Sequence, residues 1–428
     1  MRRPRGRDPR PVRRLHAWTP AAARLAVAGG VVLVALVAWV VTGLMIVYPP
    51  AYVLRAARWG PESLSDHLKF PARALQASTT PFQFARERDD GMLEARIAAA
   101  FGVEALEPFL EASGTHAFIV IVDDTIRYEG YFNGADRETL DTAFSVTRSF
   151  TSALVGAAIA DGLIRSVDDP VTRYLPELAA RDPRFERIRL RHLLTMSSGL
   201  RYVDVPFLNG DNIKAHFYPD VRRLALAETR VSEAPGARFV YSEYPPLLLG
   251  LILERVTGRA VSDYLQTRIW TPIGMEYTGT WSVDHEGTGL EKTDGGLAAR
   301  AIDLAKLGRL YLNEGRWGHR QILPAAWVAD SIREDTSVDY ERFYPPQPLF
   351  ASQQAYYGYM WWGRRRAADE ADFYASGHLG QYVYVSPRQR MVIVRTGERS
   401  GIPPLRWIEA FSAIADRGIV TAHRPSGD

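Results

Sequence analysis

An uninterrupted apolar run near the start of the chain limits how everything after it can fold. Residues 26–47 contain no charged side chain, and only glycines and Thr42 interrupt the apolar residues. As a helix, a run of this length would extend about 33 Å, roughly the thickness of one hydrocarbon core. The sequence therefore predicts one transmembrane helix over residues 25–48, with the remainder of the chain folding separately.

The charges that precede the run predict its orientation. Residues 1–24 carry eight arginines against one aspartate, and the positive-inside rule places such a tail in the cytoplasm. The competing interpretation is a cleaved signal peptide, whose apolar region spans about 7–15 residues and is followed by a small-residue cleavage site. Because Tyr48-Pro49-Pro50 follows the run here, we expect an uncleaved anchor. The predicted location is the cell membrane, single-pass, with a cytoplasmic N-terminus and an extracytoplasmic body.

Composition excludes several kinds of partner and chemistry. The whole chain carries a formal charge of +3, and because the tail is so basic, the part after residue 24 is mildly acidic, which argues against a nucleic-acid partner. The absence of cysteine excludes disulfides, zinc thiolate sites and a cysteine nucleophile. With 428 residues, 46% of them hydrophobic, the chain is long enough for one large two-lobed globular body.

The distribution of prolines suggests where that body begins. Prolines recur between residues 49 and 90, which favours a juxtamembrane linker over a long helix. We therefore place the folded domain at 91–420, with an inserted and mainly helical lobe at about 146–290 and a short tail at 421–428.

The β-rich segments lie at the two ends of this domain. Runs at 117–122 and 126–132 flank a short polar turn and predict a hairpin. Further strand-like runs occur at 357–362, 381–385 and 391–396. Since strands from both ends enclose a helical middle, the pattern predicts an α+β fold in which helices flank an antiparallel sheet.

A hydroxyl at a predicted helix start is the first candidate for chemistry. The stretch SVTRSFTS at 145–152 follows a strand-like segment and opens an apolar helix that runs to Gly162. Free backbone N–H groups and the helix dipole at such a position favour developing negative charge. Ser145 is therefore a candidate nucleophile whose own N–H is an oxyanion donor. The alternative is that it is only the helix N-cap, a common role for serine.

Four segments together resemble one known family. They are SVTRSFTSALVGAAIADG at 145–162, RHLLTMSSGL at 191–200, FVYSEYPPLLLGLILERVTG at 239–258 and GHLGQYVY at 377–384. This series is similar to the serine β-lactamase-related hydrolases, which include class C β-lactamases, penicillin-binding proteins, esterases and 6-aminohexanoate-dimer hydrolase. The resemblance spans roughly residues 95–415 and implies a β-lactamase/transpeptidase-like fold for the α+β body.

The resemblance implies roles for three motifs. The family's S-x-x-K motif falls on Ser145–Arg148, its Y-x-N motif on Tyr241–Glu243 and its K-T-G or H-x-G strand on His378–Gly380. By this resemblance the serine attacks a carbonyl, the tyrosine moves protons and the histidine orients or polarises the substrate.

The same strand would carry the substrate and the oxyanion. Gly377 and Gly380 would leave room for a substrate along the strand edge, and the N–H groups of Ser145 and Gln381 would form the oxyanion hole. All of these groups belong to the protein, so no metal or organic cofactor is implied. The expected partner is a small-molecule or peptide-like acyl substrate.

Two positions depart from the family pattern. Arg148 replaces the lysine, and arginine, unlike lysine, cannot lose its proton and act as a base. Glu243 replaces the usual asparagine. We expect the two to form a close ion pair with bidentate geometry. In this hypothesis the Arg148 charge favours the phenolate form of Tyr241, which takes the Ser145 proton, and Glu243 is the second candidate for the base.

Each of these assignments has an ordinary structural alternative. Tyr241 is also explained as a strand aromatic and His378 as a loop histidine. The Arg148–Glu243 pair would equally neutralise a site that has lost its chemistry. The sequence therefore favours a membrane-tethered serine hydrolase that acts through an acyl-enzyme on an ester, amide or lactam. The alternatives are a protein that binds a cell-wall peptide or small ligand without turnover and, third, a membrane-tethered scaffold.

Three further segments are assigned to loops. Lys292-Thr293-Asp294-Gly295 superficially resembles K-T-G, but a predicted helix follows it and we interpret it as a loop. Residues 201–218 and 334–355 are expected to be loops that shape the pocket.

Overall fold

The structure is a computed structural model. It describes residues 20–87, 92–335, 337–338, 340, 354–367 and 370–416. Most of the predicted basic tail at 1–24, most of the predicted loop at 334–355 and the tail at 421–428 therefore lie outside the described residues.

The chain divides into two compact units, residues 1–57 and 58–428. The first unit contains helix α1 (Pro20–Val47), and helix α2 (Pro50–Trp59) runs across the boundary in sequence. Within α1, the segment Val27–Val47 has a mean hydropathy of 2.7 and is long and apolar enough to cross a membrane. A helix of this kind near the N-terminus fits a single-pass anchor and fits a signal sequence as well.

The second unit is built from short strands and helices. In chain order its strands are β1 (Ala72–Leu75), β2 (Ala85–Arg86), β3 (Thr115–Val122), β4 (Thr125–Tyr131), β5 (Asp141–Thr142), β6 (Gly279–Ser282), β7 (Leu297–Ala299), β8 (Arg316–Trp317), β9 (Arg320–Gln321), β10 (Ala355–Tyr357), β11 (Trp362–Ala367), β12 (Glu370–Gly377), β13 (Gln381–Ser386) and β14 (Met391–Gly397). Its helices are α3 (Met92–Phe101), α4 (Leu106–Ala112), α5 (Thr147–Ala160), α6 (Pro176–Arg181), α7 (Leu190–Leu194), α8 (Asp211–Phe217), α9 (Val221–Arg223), α10 (Tyr244–Thr257), α11 (Val261–Leu265), α12 (Ala301–Leu312), α13 (Ala325–Ile332) and α14 (Pro404–Asp416).

The main sheet of the second unit joins both ends of the domain. Its order among the described strands is β10-β11-β12-β13-β14-β3-β4-β2, and every neighbouring pair is antiparallel except β2 with β4. The predicted hairpin is present as β3 and β4, and its turn places Asp123 at φ 46° and Asp124 at φ 60°. Two consecutive left-handed residues are what a tight right-twisted hairpin requires, and aspartate tolerates that conformation.

Successive side chains of each strand point to opposite faces of this sheet, and both faces are buried under helices. On one face Phe118, Tyr382 and Tyr384 pack with Trp407 and Phe411 of α14 in a cluster that also includes side chains of α3 and α4. On the other face α12 packs closely against β14. Residue 308 of α12 is a glycine, and a Cβ there would lie only 2.9 Å from a valine methyl of β14. Helices on both faces account for the nearly continuous apolar sequence of β13 and β14.

A four-stranded sheet, β1-β6-β7-β5, incorporates part of the predicted linker. Pro71 precedes β1, and its carbonyl accepts the Val283 N–H at 2.8 Å. Arg73 on β1 forms a 2.6 Å ion pair with the buried Glu291. Proline interrupts helices but still offers a carbonyl and suits an extended chain, so its recurrence did not exclude folded structure. The compact unit thus starts at Arg58, earlier than the boundary near residue 91 that the sequence suggested.

Helices α5 to α11 follow β5 and precede β6, in the region where the sequence placed the helical lobe.

The predicted strand at 357–362 is wrong, because residues 358–361 form a turn between β10 and β11, with Met360 at φ 59°. The turn allows residue 358, a glycine, to contact the Ser331 carbonyl so closely that a Cβ would collide with it.

Candidate active site

Ser145 lies in the turn that leads into α5. Residues Phe144–Val146 form a single 3₁₀ turn, and α5 follows at once. The N–H of Leu297 on β7 donates to the Thr147 hydroxyl at 3.1 Å, which ties this turn to the four-stranded sheet. The caps of the turn and of α5 are Ala143 and Val146, so Ser145 is the N-cap of neither. The N-cap alternative is therefore excluded.

One cleft of about 500 Å³ brings the predicted residues together. Its wall includes residues from widely separated parts of the chain, from Glu62 to Pro404. Among the predicted site residues it is lined by Ser145, Arg148, Tyr241, Glu243, Gly377, His378 and Gly380. Gln381 does not line it.

Arg148 is buried in the wall and its donors are used. Nε donates to the carbonyl of Asp294 at 3.0 Å, Nη1 donates to the carbonyl of Ser242 at 3.3 Å, and Nη2 donates to Oε1 of Glu243 at 3.0 Å. Only 2% of its side chain is exposed. Burial opposes the charged form, but the neighbouring Tyr241 and Glu243 outweigh it and raise the pKa of Arg148 above its ordinary value. The group is a permanent cation.

Tyr241 lies directly against this cation. The guanidinium carbon of Arg148 is 4.1 Å from the centroid of the Tyr241 ring. Trp362 and Tyr357 frame the ring, with centroids 5.2 and 5.9 Å from it. The contact is a cation–π interaction between the guanidinium and the phenol ring.

Glu243 forms the expected ion pair but not with the expected geometry. Oε1 accepts from Arg148, while Oε2 accepts from the hydroxyl of Tyr202, so the predicted bidentate pair is wrong. Tyr202 therefore binds the second carboxylate oxygen of Glu243. The two residues are far apart in sequence, so the motifs did not predict this contact. Burial and the carboxylate of Glu243 raise the pKa of Tyr202, which therefore stays protonated and donates. Burial also raises the pKa of Glu243, and Arg148 and Tyr202 only partly offset this effect.

The turn between β12 and β13 carries His378. Leu379 and Gly380 have φ of 62° and 86°, so the backbone reverses here within three residues. A Cβ at Gly380 would collide with the guanidinium of Arg395. The absence of a side chain at 380 thus serves the turn and a buried arginine on β14, in addition to the substrate room that the sequence suggested.

Gly377 and Gln381 place this turn against the nucleophile turn. A Cβ at Gly377 would collide with the carbonyl of Ala143, two residues before Ser145. The buried side-chain amide of Gln381 donates to the carbonyl of His378 at 3.0 Å and to that of Gly397 at 2.7 Å. The close approach of β12 to residue 143 and the clamp by Gln381 therefore fix His378 near Ser145.

The K-T-G-like segment has a different use. Lys292 is buried, and its ammonium donates to the carbonyls of Ala215 and His216 at 2.6 and 3.0 Å. It therefore ties the turn that contains it to α8, a helix that occupies residues 211–217 of the segment predicted to be a loop. The same segment supplies the Asp294 carbonyl that holds Arg148.

Several cleft residues escaped the sequence analysis. Glu62, Tyr202 and His216 line the cleft, although none belongs to a motif that the resemblance identified. Tyr202 and His216 lie in the segment 201–218 that was expected to shape the pocket, although neither was singled out, whereas Glu62 lies in the predicted linker. Among the residues that the structure describes, no group of three or more His, Asp or Glu side chains could hold a metal ion.

Comparison with known proteins places this cleft in context. The Beta-lactamase family model matches residues 104–405. The 6-aminohexanoate-dimer hydrolase of Paenarthrobacter ureafaciens is 26% identical over 355 residues, which cover 79% of this chain and 84% of that protein. Esterase EstB of Burkholderia gladioli is 31% identical over 243 residues, 51% of this chain and 59% of the esterase. The octameric penicillin-binding protein homologue from Pyrococcus abyssi superposes with a TM-score of 0.55 at 22% identity, over 77% of this chain and 78% of that one, which supports the fold.

Proposed function

This chain belongs to the beta-lactamase family, and from that membership we propose that it is a membrane-anchored, extracytoplasmic serine hydrolase that acts through an acyl-enzyme on an ester, amide or lactam. Relatives named as a 6-aminohexanoate-dimer hydrolase and as an esterase support a small acyl substrate. Helix α1, with its apolar segment Val27–Val47, supports the anchor.

One observation carries the hydrolase proposal. Ser145, Tyr241 and His378 line the same cleft, and the buried cation of Arg148 lies 4.1 Å from the Tyr241 ring. A nucleophile, a proton acceptor and a substrate-facing imidazole are the groups that acyl transfer needs in one place.

Acylation then proceeds without any role for Arg148 as a base. The Ser145 oxygen attacks the substrate carbonyl carbon, and its proton passes to the Tyr241 oxygen, whose ring lies against Arg148. The N–H groups of Ser145 and Gln381 are the proposed donors to the developing oxyanion; for Gln381 only the backbone is involved, since its side chain is bound to the carbonyls of His378 and Gly397 outside the cleft lining. The Tyr241 hydroxyl then returns the proton to the departing oxygen or nitrogen, and the acyl group remains on Ser145.

Deacylation repeats the same proton transfers with water. Tyr241 takes a proton from the attacking water, the new C–O bond forms, and the acyl–serine bond breaks as the proton returns to the Ser145 oxygen. Glu243 is the weaker candidate for the base, because Arg148 and Tyr202 each engage one of its oxygens. Its carboxylate instead balances the charge of Arg148.

Covalent labelling tests the proposal directly. A fluorophosphonate probe should attach to Ser145, located by mass spectrometry, and Ser145→Ala should lose both the adduct and the hydrolysis of p-nitrophenyl esters. Ser400→Ala is the control, since it removes another hydroxyl from the same cleft wall and should leave the adduct in place. Ligand binding without any Ser145 adduct would instead indicate a protein that binds and does not turn over its ligand.

A further inference from the structure

Two carboxylates and two imidazoles form a line that ends in the cleft. Nε2 of His216 is 3.2 Å from Oδ2 of Asp66, and Nδ1 of the same ring is 3.2 Å from Oε1 of Glu62. The other oxygen of Glu62, Oε2, is 3.4 Å from Nε2 of His378. We call this line the carboxylate–imidazole chain; carboxylates and imidazoles alternate along it.

The carboxylate–imidazole chain runs from the protein interior to the solvent. The exposed fraction of the side chain is 3% for Asp66, 12% for His216, 37% for Glu62 and 55% for His378. Glu62 is the link between the buried half and the cleft, with one oxygen on each imidazole. It lies before the family match, which begins at residue 104, so the resemblance assigns it no role.

The buried half is anchored by several further contacts. The carboxylate of Asp66 accepts from the Ser63 N–H at 3.0 Å and forms a 2.7 Å ion pair with Lys69. The His216 ring packs edge-on against Phe70, with centroids 5.5 Å apart. Because the Glu62 carboxylate contacts the anchored His216, it keeps its position when the exposed side chain of His378 moves.

The charges along the line are mutually stabilising. Burial opposes ionisation of Glu62, but its contact with His216 and the charges of both imidazoles outweigh this and lower its pKa. For His216, burial opposes protonation, while Asp66 and Glu62 raise its pKa. Glu62 therefore presents a negative charge to His378.

Two surfaces define the orientation of the His378 ring. Nε2 lies toward Glu62, and the ring packs edge-on against Phe144, the neighbour of Ser145, with centroids 5.5 Å apart. A carboxylate oxygen accepts a hydrogen bond from an N–H group. Nε2 of His378, which faces Glu62, should therefore carry the hydrogen, and Nδ1 should be left for the substrate.

We propose that Glu62 is a positioning residue of this hydrolase: its carboxylate holds the imidazole of His378 in one orientation and one tautomer beside Ser145. The inference rests on the proposed function. It adds to the site a residue from the segment between the apolar helix and the matched domain.

The test compares Glu62→Gln with the wild type in the full-length protein. The amide keeps the size of the side chain but removes the charge. We expect kcat/KM for a p-nitrophenyl ester to fall about tenfold or more, mainly through kcat, because a misplaced group slows the reaction more than it weakens binding. Glu87→Gln is the matched control: it removes an exposed carboxylate of the same part of the chain and should leave kcat/KM unchanged.

Two readouts separate positioning from a merely structural role. In protein labelled with ¹⁵N-histidine, the His378 signal, assigned through His378→Gln, should report Nε2–H in the wild type and a tautomer mixture in Glu62→Gln. The double variant Glu62→Gln/His378→Gln should be no slower than His378→Gln alone, since Glu62 acts through that ring.

The possible failures are distinguishable. Wild-type kcat/KM and an unchanged His378 signal in Glu62→Gln would overturn the inference, and so would losses that add fully in the double variant. If the wild type itself shows neither a Ser145 adduct nor ester turnover, the proposed function fails, and an Nε2–H signal that depends on Glu62 would then still establish the contact by itself.

Discussion

Arg148 illustrates how one residue can change what its partners must do. A lysine amine is a single compact charge that can give up its proton, whereas this guanidinium donates in three directions at once, to Asp294, Ser242 and Glu243. Its planar face is left for the Tyr241 ring. In the proposed reaction, proton transfer therefore falls to the phenol, and the arginine contributes only its fixed charge.

The first prediction concerns exchange of this cation. Arg148→Lys should lower kcat/KM by about ten- to a hundredfold, because one ammonium cannot reproduce three directed donations and a stacked face. Restoring the family's own pair with Arg148→Lys/Glu243→Asn should recover part of that loss, which a double-mutant cycle on ester hydrolysis would measure. Arg148→Lys alone being faster than the wild type would instead mean that the arginine impairs the site.

At the residue scale, the motifs located Ser145, Tyr241, His378 and the Arg148–Glu243 pair. They could not reveal which carboxylate oxygen meets the guanidinium, because Tyr202 reaches Glu243 from 41 positions away. Glu62 was equally hidden, since its partners follow it by more than 150 residues. Spacing along a chain reports neighbours within one helix or strand, and these contacts come from tertiary packing.

At the element scale, local signals were sufficient where they were strong. The predicted hairpin is present as β3 and β4, and α10 ends at Gly258 with φ 68°, a left-handed cap of the kind that glycine supplies. The segment 58–75 was missed because its prolines resemble a linker, whereas its turn and β1 are held by distant partners. The ion pair between Asp66 and His216 contributes much of this stabilisation.

The second prediction is that this charge gives stability a pH window. Burial opposes ionisation of Asp66, but His216, Lys69 and Ser63 lower its pKa to about 2, so its contribution is present above about pH 4 and is lost as the pH falls toward 2. The pKa of His216 is raised above 6.5, so its contribution is present below about pH 6.5 and is lost as the pH rises through the folded-state pKa.

Urea unfolding at pH 5 and pH 8.5 measures this window. The difference in free energy of unfolding between the wild type and His216→Gln should be larger at pH 5 than at pH 8.5, because the raised pKa of His216 stabilises the folded state only while the imidazole is protonated. His192→Gln is the control with the opposite sign, because burial lowers the pKa of His192 and the folded state therefore loses stability on acidification. Equal differences at both pH values would contradict an ionic role for His216.

At the scale of the whole molecule, the domain is closed by segments far apart in sequence. Strand β14 pairs with β3, α14 packs with α3, and β1 pairs with β6. Such long-range closure cannot be derived from periodicity, although strands at both ends of the domain indicated that the two ends meet. It also means that the matched region, 104–405, is smaller than the folded unit.

The last prediction follows from that mismatch. A chain of residues 58–416 keeps β1 and the Arg73–Glu291 ion pair, so it should fold, stay in the soluble fraction and hydrolyse esters like the full chain, which should sediment with membranes. A chain of residues 92–416 removes the partner of β6 and leaves the buried Glu291 without Arg73, a loss of about 3–5 kcal/mol from the unpaired carboxylate alone. Its thermal unfolding midpoint should fall sharply or its transition disappear. Equal midpoints for the two truncated chains would show that residues 58–91 are a linker after all.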